Sequence, residues 1–170
     1  MKICIPTNNG FLDPKYTKLA NISEKYKGYP NVSFPVKIFG QPKATKSLAF
    51  TFLDYDAIPV RGFTMIHWIA ANISSTVGCI PENASQDDLV HMVQGSNSTA
   101  GSFIKVTDPK INQHYFGPCP PDRDHKYLFT LYAVDDMLPL KNGYYLNEFY
   151  ELVRGHILES CQYAVKAKMS

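Results

Sequence analysis

The clearest pattern in the chain is a run of apolar residues on both parities that follows a segment rich in Gly and Pro. Within residues 125–135, the odd-numbered positions include His125, Tyr127, Phe129, Leu131 and Ala133. The even-numbered positions include Leu128, Thr130, Tyr132 and Val134. Apolar residues on both parities predict a strand that is covered on both faces. The preceding prolines have a fixed φ and no N–H to donate, so they predict a stiff loop. His125 and Tyr127 then share a face, about 7 Å apart, where this loop enters the strand.

Two earlier apolar segments are also predicted as strands. Ser47–Leu53 is β-prone on both parities and runs into a segment with two aspartates, so a buried strand enters a rigid loop with carboxylates at its mouth. Thr64–Ile73 is a further strand candidate, in which simple alternation makes His67 face away from Trp68. Polar groups are therefore expected where several strands meet loops.

The N-terminal and middle segments give weaker signals. Residues 1–31 are expected to be irregular with at most one short strand. Val32–Gly40 indicates an edge strand or a bent strand, because Pro35 interrupts it. Between residues 74 and 114 the pattern fades into turns and loops, with one short helical piece predicted within Gln86–Val93.

A helical period stands near the C-terminus. Over Leu146–Lys166, apolar positions recur at i, i+3, i+4 and i+7, and charged residues lie opposite them. We therefore expect one amphipathic helix along this segment, packed on a face of a sheet. Gly155 in its middle costs about 1 kcal/mol relative to Ala.

Composition and charge narrow the class of protein. The 170 residues, 45% hydrophobic and 13% aromatic, are enough for the core of one domain spanning residues 1–170. The formal net charge of +2 gives no electrostatic footprint for nucleic acid or an anionic membrane. No apolar run fits a signal peptide or a membrane span, so we expect a soluble, cytoplasmic protein without integral membrane contact. The cysteines lack C-x-x-C spacing, which favours reduced thiols over a zinc site or a disulfide framework.

Three motifs follow one another in the chain: Asp54-x-Asp56-Ala57, His67-Trp68 and Gly117-Pro118-Cys119-Pro120-Pro121-x-x-x-His125-Lys126-Tyr127. Flanking segments such as Ser33-Phe34-Pro35 and Gly155-His156-Ile157-Leu158 accompany them. In this order they resemble the phosphatidylethanolamine-binding protein (PEBP) family, in its bacterial Raf-kinase-inhibitor-like branch. The resemblance covers roughly residues 32–158. Each motif alone is weak, whereas their combination is specific.

The resemblance implies a mainly β fold, a Greek-key β-sandwich with a few peripheral helices, among them the C-terminal amphipathic helix. It also implies one small anion-binding pocket formed by Asp54, His67, His125 and Tyr127 and walled by Ala57, Gly117, Cys119, Pro120 and Pro121. The family's ligands are phosphate-like groups, such as phospholipid head groups and phosphorylated side chains. A homodimer and a protein partner such as a kinase are further implied, and no cofactor is expected.

The chain departs from the family pattern at several places. Ile58 stands where many relatives have Pro, and Ile66 replaces the first residue of a frequent His pair. The spacer Asp122-Arg123-Asp124 replaces one that contains Gly. The C-terminal tail lacks the Gly-x-Tyr ending of the branch, so no tail residue is assigned to the pocket.

Elementary chemistry supports an anion site at these residues. Two imidazoles and a phenol supply donors, and a histidine with a pKa near 6.5 gains charge when a dianion arrives. Asp54 is expected either to accept from a histidine N–H, which fixes the tautomer and raises the imidazole pKa, or to hold the amine of a zwitterionic head group. The N–H groups of Gly117 and Cys119 are the loop's candidates for contact with a ligand.

Each of these residues also has a structural interpretation. His67 fits a hydrogen-bonded core histidine, and His125 fits a loop-end residue that satisfies backbone groups. Tyr127 fits a packing residue with a tied hydroxyl. Asp56 is expected to be structural, in an Asx turn, and Cys119 is expected to be inert. No functional role is assigned to the remaining histidines, His91, His114 and His156.

Three function classes compete. The preferred one is a non-catalytic binding protein for a small anionic or phosphorylated ligand that modulates a kinase or another signalling protein. The second is a metal-dependent enzyme with a two-His-one-Asp site, opposed by Tyr127 as a poor ligand and by the lack of pre-set His spacing. The third is a hydrolase, opposed by the lack of a G-x-S-x-G elbow and by the position of Cys119 between prolines rather than at a helix N-terminus.

Overall fold

A computed structural model describes residues 1–170. Its strands are β1 Lys2–Cys4, β2 Lys25–Tyr26, β3 Tyr29–Pro30, β4 Val36–Phe39, β5 Ser47–Asp54, β6 Met65–Ser74, β7 Cys79–Ile80, β8 Val93–Gln94, β9 His125–Val134 and β10 Ile157–Ala167. Its α-helices are α1 Ile58–Arg61, α2 Ala84–Asp87, α3 Pro109–Asn112 and α4 Leu146–Val153. Short 3₁₀ helices lie at Pro14–Tyr16, Ile22–Glu24 and Ser98–Ala100. The prediction of a mainly β fold with a few helices is confirmed.

The strands form two larger sheets and one small ribbon, all with antiparallel pairing. The larger sheet has the order β10-β9-β5-β6-β8, the second has the order β1-β4-β7, and β2 pairs with β3. The central strand β5 pairs with β6 on one side and with β9 on the other. Because β9 follows β5 only after a long connection, the sheet order is non-sequential, as a Greek-key arrangement requires.

The two faces of the five-stranded sheet are covered by different partners. On one face, side chains of β5, β6 and β9 share a core with the three-stranded sheet, whose contributions are Val36, Ile38 and Ile80. On the other face, α4 packs Phe149 and Val153 against the sheet. All eight residues of β5 are consequently buried. The prediction that β9 is covered on both faces is confirmed, because both clusters include its residues.

Phe34 lies at the centre of the first core. Its ring makes edge contacts at 5.0–6.2 Å with the rings of Tyr16, Phe52, Trp68, Tyr115 and Phe129. The aromatic cluster joins the N-terminal segment to β5, β6 and β9. Packing of this kind fixes the ends of the strands on which the predicted site residues lie.

The C-terminal segment is not one helix. Only Leu146–Val153 is helical, and Ile157–Ala167 forms β10, the edge strand beside β9. Gly155 adopts φ +84° in the turn between them, a conformation that ends a helix and favours glycine. The strand pattern is present in the sequence, because Cys161, Tyr163 and Val165 alternate with more polar residues, but it overlaps with a helical period.

Other expectations are corrected in detail. Residues 1–31 contain three short strands, β1, β2 and β3, rather than at most one. Within Val32–Gly40 only Val36–Phe39 is strand, so the strand begins after Pro35 rather than around it. The short helix predicted at Gln86–Val93 lies earlier, at Ala84–Asp87.

Candidate functional site

Asp54 and His125 form a hydrogen-bonded pair at the ends of neighbouring strands. Asp54 ends β5 and His125 begins β9, and the His125 Nδ1–H donates to Asp54 Oδ2 at 2.8 Å. The other oxygen of Asp54 accepts from the Ala57 N–H at 3.1 Å, and the residue is only 3% exposed. A carboxylate held at both oxygens orients the imidazole, which is one of the two roles expected for Asp54.

His125 is also bonded through its second ring nitrogen. The Nε2–H donates to Asp122 Oδ1 at 2.8 Å, so the ring lies between two carboxylates. Burial lowers the pKa of His125, but the hydrogen bonds to Asp54 and Asp122 outweigh it, and the net pKa lies above the usual histidine value. The bond to His125 in turn lowers the pKa of Asp122. This arrangement favours the imidazolium form of His125.

His67 stands at a β-bulge. The β5–β6 register shifts directly after the pair of Phe52 and Trp68, and His67 has no partner on β5. An extra residue of this kind interrupts the alternation of side chains. The His67 ring lies 5.9 Å from Phe52, and the Trp68 ring lies 4.5 Å from Phe50, on the same core face. His67 and Trp68 therefore face the same core, and the expectation of opposite directions is wrong.

Phe116 holds His67 in place. The Phe116 N–H donates to the His67 carbonyl at 2.9 Å, and the Phe116 carbonyl accepts from the His67 Nδ1–H at 2.7 Å. The two rings stack with centroids 5.2 Å apart. Burial is the main cause that lowers the pKa of His67, so its ring is neutral at pH 7. Because Nδ1 carries the proton, Nε2 keeps a lone pair that can accept a hydrogen bond.

Tyr127 lies beside both histidines. It stands opposite Asp54 in the β5–β9 register, with its ring centroid 6.3 Å from that of His125 and 5.1 Å from that of His67. Its hydroxyl is buried without a hydrogen-bond partner. Burial, followed by the charge of Asp54, raises the pKa of Tyr127 far above its usual value. The fold thus brings all four predicted polar residues together.

The proline loop is anchored from behind by the N-terminal segment. The Lys18 N–H donates to the Pro118 carbonyl at 2.8 Å, and Lys18 Nζ donates to the Pro120 carbonyl at 2.5 Å. The Gly117 N–H donates to a backbone carbonyl at 2.8 Å, and a Cβ at this position would lie 2.5 Å from the Tyr16 carbonyl oxygen. The expectation that the Gly117 N–H points at a ligand is therefore wrong.

These elements border a cavity of about 560 Å³. Of the nine predicted site residues, six line it, namely Asp54, Ala57, His67, Cys119, Pro121 and His125. The other three, Gly117, Pro120 and Tyr127, lie next to the cavity without lining it. The backbones of Gly117 and Pro120 bond to the N-terminal segment, and Tyr127 lies within the first core.

The rest of the lining is an apolar wall that motif-based reasoning missed. Its members are Val60, Phe63, Met65, Phe103, Ile104 and Phe116, with Arg61 among them. The rings of Phe63 and Phe103 stack with centroids 5.8 Å apart, and Phe103 is 86% exposed. The sequence held only a weak sign of this wall. Phe63 and Phe103 stand in segments without a helical or strand period, so no core role could be predicted for either aromatic side chain. Arg61 is exposed and forms no ion pair, so its charge is free at the cavity.

Residues outside the cavity have structural partners. Asp56 accepts from the Lys126 N–H at 2.9 Å, which ties the loop after β5 to the start of β9. Its role is structural as expected, but the expected Asx turn is wrong for Asp56, because Asp54 is the aspartate that caps the local turn, through the Ala57 N–H. His114 bonds to the Pro109 carbonyl and His156 to the Asp135 carboxylate.

No group of three or more His, Cys, Asp or Glu side chains is placed to hold a metal ion. All four cysteines are free thiols, and no helix has the length and apolar character needed to cross a membrane.

A β-sandwich with a cavity that is polar at one end and apolar along its wall is typical of a protein that binds small molecules. The sequence model of the phosphatidylethanolamine-binding protein family matches residues 5–168. The chain belongs to the phosphatidylethanolamine-binding protein family, and the family predicted from its motifs is confirmed. Family membership supports a ligand-binding protein.

Relatives match along most of their length. Protein YxkA of Bacillus subtilis is 45% identical over 161 residues, covering 95% of this chain and 96% of the relative. A UPF0098 protein of Chlamydia pneumoniae is 34% identical over 155 residues, covering 89% and 93%. A crystal structure described as a PEBP homologue from Chlamydia trachomatis superposes with a TM-score of 0.73 at 27% identity, over 94% of this chain and 89% of the other. E. coli YbcL has the same fold, with a TM-score of 0.77 at 21% identity over 99% and 98% of the chains.

Proposed function

We propose that the protein is a non-catalytic binding protein for a small ligand that joins a phosphate-like anion to an apolar group. The observation that carries the proposal is the division of the cavity. His67, His125 and Asp54 border one end, whereas aromatic and aliphatic side chains form the rest of the wall. Pockets of about 300–1,000 Å³ suit small organic ligands. A bare phosphate would leave most of this cavity unfilled.

The polar end offers complementary groups to a phosphoryl group. His125 supplies a positive charge beside the cavity, and the exposed guanidinium of Arg61, which stands among the residues of the apolar wall, adds a second one to the lining. The neutral His67 offers its Nε2 lone pair to the hydroxyl of a monoprotonated phosphate or to the amine of a zwitterionic head group. Tyr127 does not line the cavity; its ring lies 5.1 Å from that of His67 and supports the polar end from within the core. No hydrolytic step is required of any of these groups.

The apolar wall is proposed to contact the organic part of the ligand. The stacked rings of Phe63 and Phe103 and the side chain of Ile104 present apolar surface beside the charged groups. Burial of such surface adds about 25 cal/mol per Å² to binding. An aryl phosphate should therefore bind more tightly than inorganic phosphate.

The proposal is tested by NMR titration with phenyl phosphate and inorganic phosphate. The ring signals of His67 and His125 should shift with both ligands, and phenyl phosphate should saturate at the lower concentration. His125→Ala should abolish the shift of His67, whereas His91→Ala, a change at an exposed histidine away from the cavity, should leave it intact. Arg61→Gln is a second variant, which removes the charge of an exposed lining residue and leaves the core unchanged. Unchanged spectra at millimolar ligand would exclude the proposed function.

The family resemblance suggests finer roles that stay predictions. They are membership of the Raf-kinase-inhibitor-like branch, a kinase or other signalling partner, a homodimer and a cytoplasmic location. Light scattering on the purified protein tests the dimer directly. A mass of about twice 19.2 kDa is expected.

A further inference from the structure

His125, one of the two histidines that line the cavity, has no free ring nitrogen. His125 donates through Nδ1 to Asp54 and through Nε2 to Asp122, each at 2.8 Å, and its side chain is fully covered. Each ring N–H makes one good hydrogen bond. An oxyanion can therefore reach His125 only if one of the two carboxylates leaves.

The two carboxylates are held differently. Asp54 is buried at the end of β5, and its second oxygen is bonded to the Ala57 N–H. Asp122 lies in a bend between the proline loop and β9, and its side chain is 45% exposed. Its remaining oxygen lies 3.9 Å from the Arg123 guanidinium, at the outer limit of an ion pair. The bond between Asp122 and His125 is consequently the one that can open without breaking the core.

We propose that Asp122 is a specificity-determining residue that occupies the His125 Nε2 position as an internal carboxylate, so that an oxyanion ligand binds only by displacing it. This inference rests on the function proposed above. The carboxylate of Asp122 and a phosphoryl oxygen are acceptors for the same N–H. A ligand without an oxyanion does not compete for Nε2, and its affinity is independent of Asp122.

Arg123 can bind the carboxylate of Asp122 after that carboxylate leaves His125. Its guanidinium lies 3.4 Å from Asp56 and 3.9 Å from Asp122, so it can keep both carboxylates as partners when Asp122 leaves His125. All three side chains are partly exposed, and water solvates the released carboxylate. The opening therefore leaves no buried charge without a partner on the Asp122 side.

The size of the effect follows from population arithmetic. When only a fraction of the molecules is open, the apparent dissociation constant is the intrinsic constant divided by that fraction. A minor state commonly reaches up to about 10% of the population, so removal of Asp122 should tighten oxyanion binding by at least about tenfold. Asp122→Asn keeps an acceptor oxygen but loses the charge, and it should give a smaller gain than Asp122→Ala.

The experiment measures the binding of phenyl phosphate and of phenol to the wild type, Asp122→Ala, Asp122→Asn and Asp124→Asn by NMR titration. Asp124 is the matched control, because its loss removes the same charge only two positions further along the chain. Its carboxylate accepts from the Met169 N–H, which an Asn side chain can also do, and makes no bond to His125. Phenyl phosphate should bind at least about tenfold more tightly to Asp122→Ala than to the wild type, whereas its affinity for Asp124→Asn should differ from that of the wild type by less than about twofold. Phenol binding should be equal in all four proteins.

Each outcome decides between the two proposals. Equal phenyl phosphate affinity in the wild type and Asp122→Ala would overturn the role of Asp122 while leaving the proposed function intact. Equal gains in Asp122→Ala and Asp124→Asn would also overturn it, because a general charge effect would then account for both. Failure of every protein to bind phenyl phosphate would overturn both proposals.

Discussion

His67 and Phe116 hold each other through two hydrogen bonds and a stacked pair of rings. The Phe116 N–H bonds to the His67 carbonyl at 2.9 Å, the His67 Nδ1–H bonds to the Phe116 carbonyl at 2.7 Å, and the ring planes are 6° from parallel. This contact joins the bulge of β6 to the start of the proline loop. It also fixes the tautomer of His67, and of the two histidines that line the cavity only His67 keeps an Nε2 without a partner in the protein.

The two cavity histidines should titrate on opposite sides of pH 6.5. His67 is expected below that value because burial disfavours its charge, and His125 above it because two carboxylates stabilise its charge. The contribution of His67 to stability is present above pH 6.5 and is lost as the pH falls through its folded pKa. That of His125 is present below pH 6.5 and is lost as the pH rises through its folded pKa. NMR titration of the ring protons measures both, and a reversed order would contradict the assigned environments.

Phe34→Ala should destabilise the fold by about 3–5 kcal/mol, because it removes the ring at the centre of the aromatic cluster. Phe103→Ala makes the same chemical change at a residue that is 86% exposed, and it should alter the free energy of unfolding by less than about 0.5 kcal/mol. Urea denaturation of the two variants provides the comparison. Similar losses in both would show that the cluster around Phe34 is not the main core.

Phe103→Ala should nevertheless weaken the binding of phenyl phosphate. Loss of about 40 Å² of apolar contact at 25 cal/mol per Å² corresponds to about 1 kcal/mol, or about fivefold in affinity. Inorganic phosphate does not reach the apolar wall, so its affinity should stay constant. The two titrations are made on the same protein sample. Equal losses for both ligands would argue against a contact between Phe103 and the organic part.

Gly117→Ala should distort the proline loop. The added methyl group would meet the Tyr16 carbonyl oxygen at 2.5 Å, and overpacking against backbone costs about 1–3 kcal/mol. Gly78→Ala is the control, because nothing lies within 4 Å of a Cβ at that position. Urea midpoints and the phenyl phosphate titration both apply here. Wild-type values for Gly117→Ala would mean that the loop and the N-terminal segment can separate easily.

The sequence was sufficient to predict β5, β6 and β9, because their long apolar runs on both parities indicate strands covered on two faces. It failed at β10, where the stripe that contains His156 and Ser160 imitates a helical period. There the chain leaves the helix at Arg154, which is extended, and turns at Gly155 with a positive φ, whereas propensity alone gives glycine only a modest cost in a helix. Pairing with the exposed edge of β9 then fixes the segment as a strand, which is a tertiary effect.

The site was predictable to the extent that its residues share motifs. Asp54, His67 and His125 meet as expected, because their strands are neighbours in one sheet. The direction of His67 was not predictable, since the bulge that turns it depends on the register between β5 and β6. The Asp122 contact was missed because a charged residue in a bend has no periodic signal. Phe63 and Phe103 lie about 40 positions apart in the sequence and become neighbours only in the fold.

The hold of Lys18 on the proline loop has a kinetic consequence. Its side chain meets the Pro120 carbonyl across 102 positions of the sequence, so this contact closes a long loop and forms slowly compared with local ones. During synthesis the proline loop therefore lacks this support until most of the polypeptide has emerged. A variant that delays docking of the N-terminal segment should accumulate molecules whose sheets are assembled but whose cavity is incomplete.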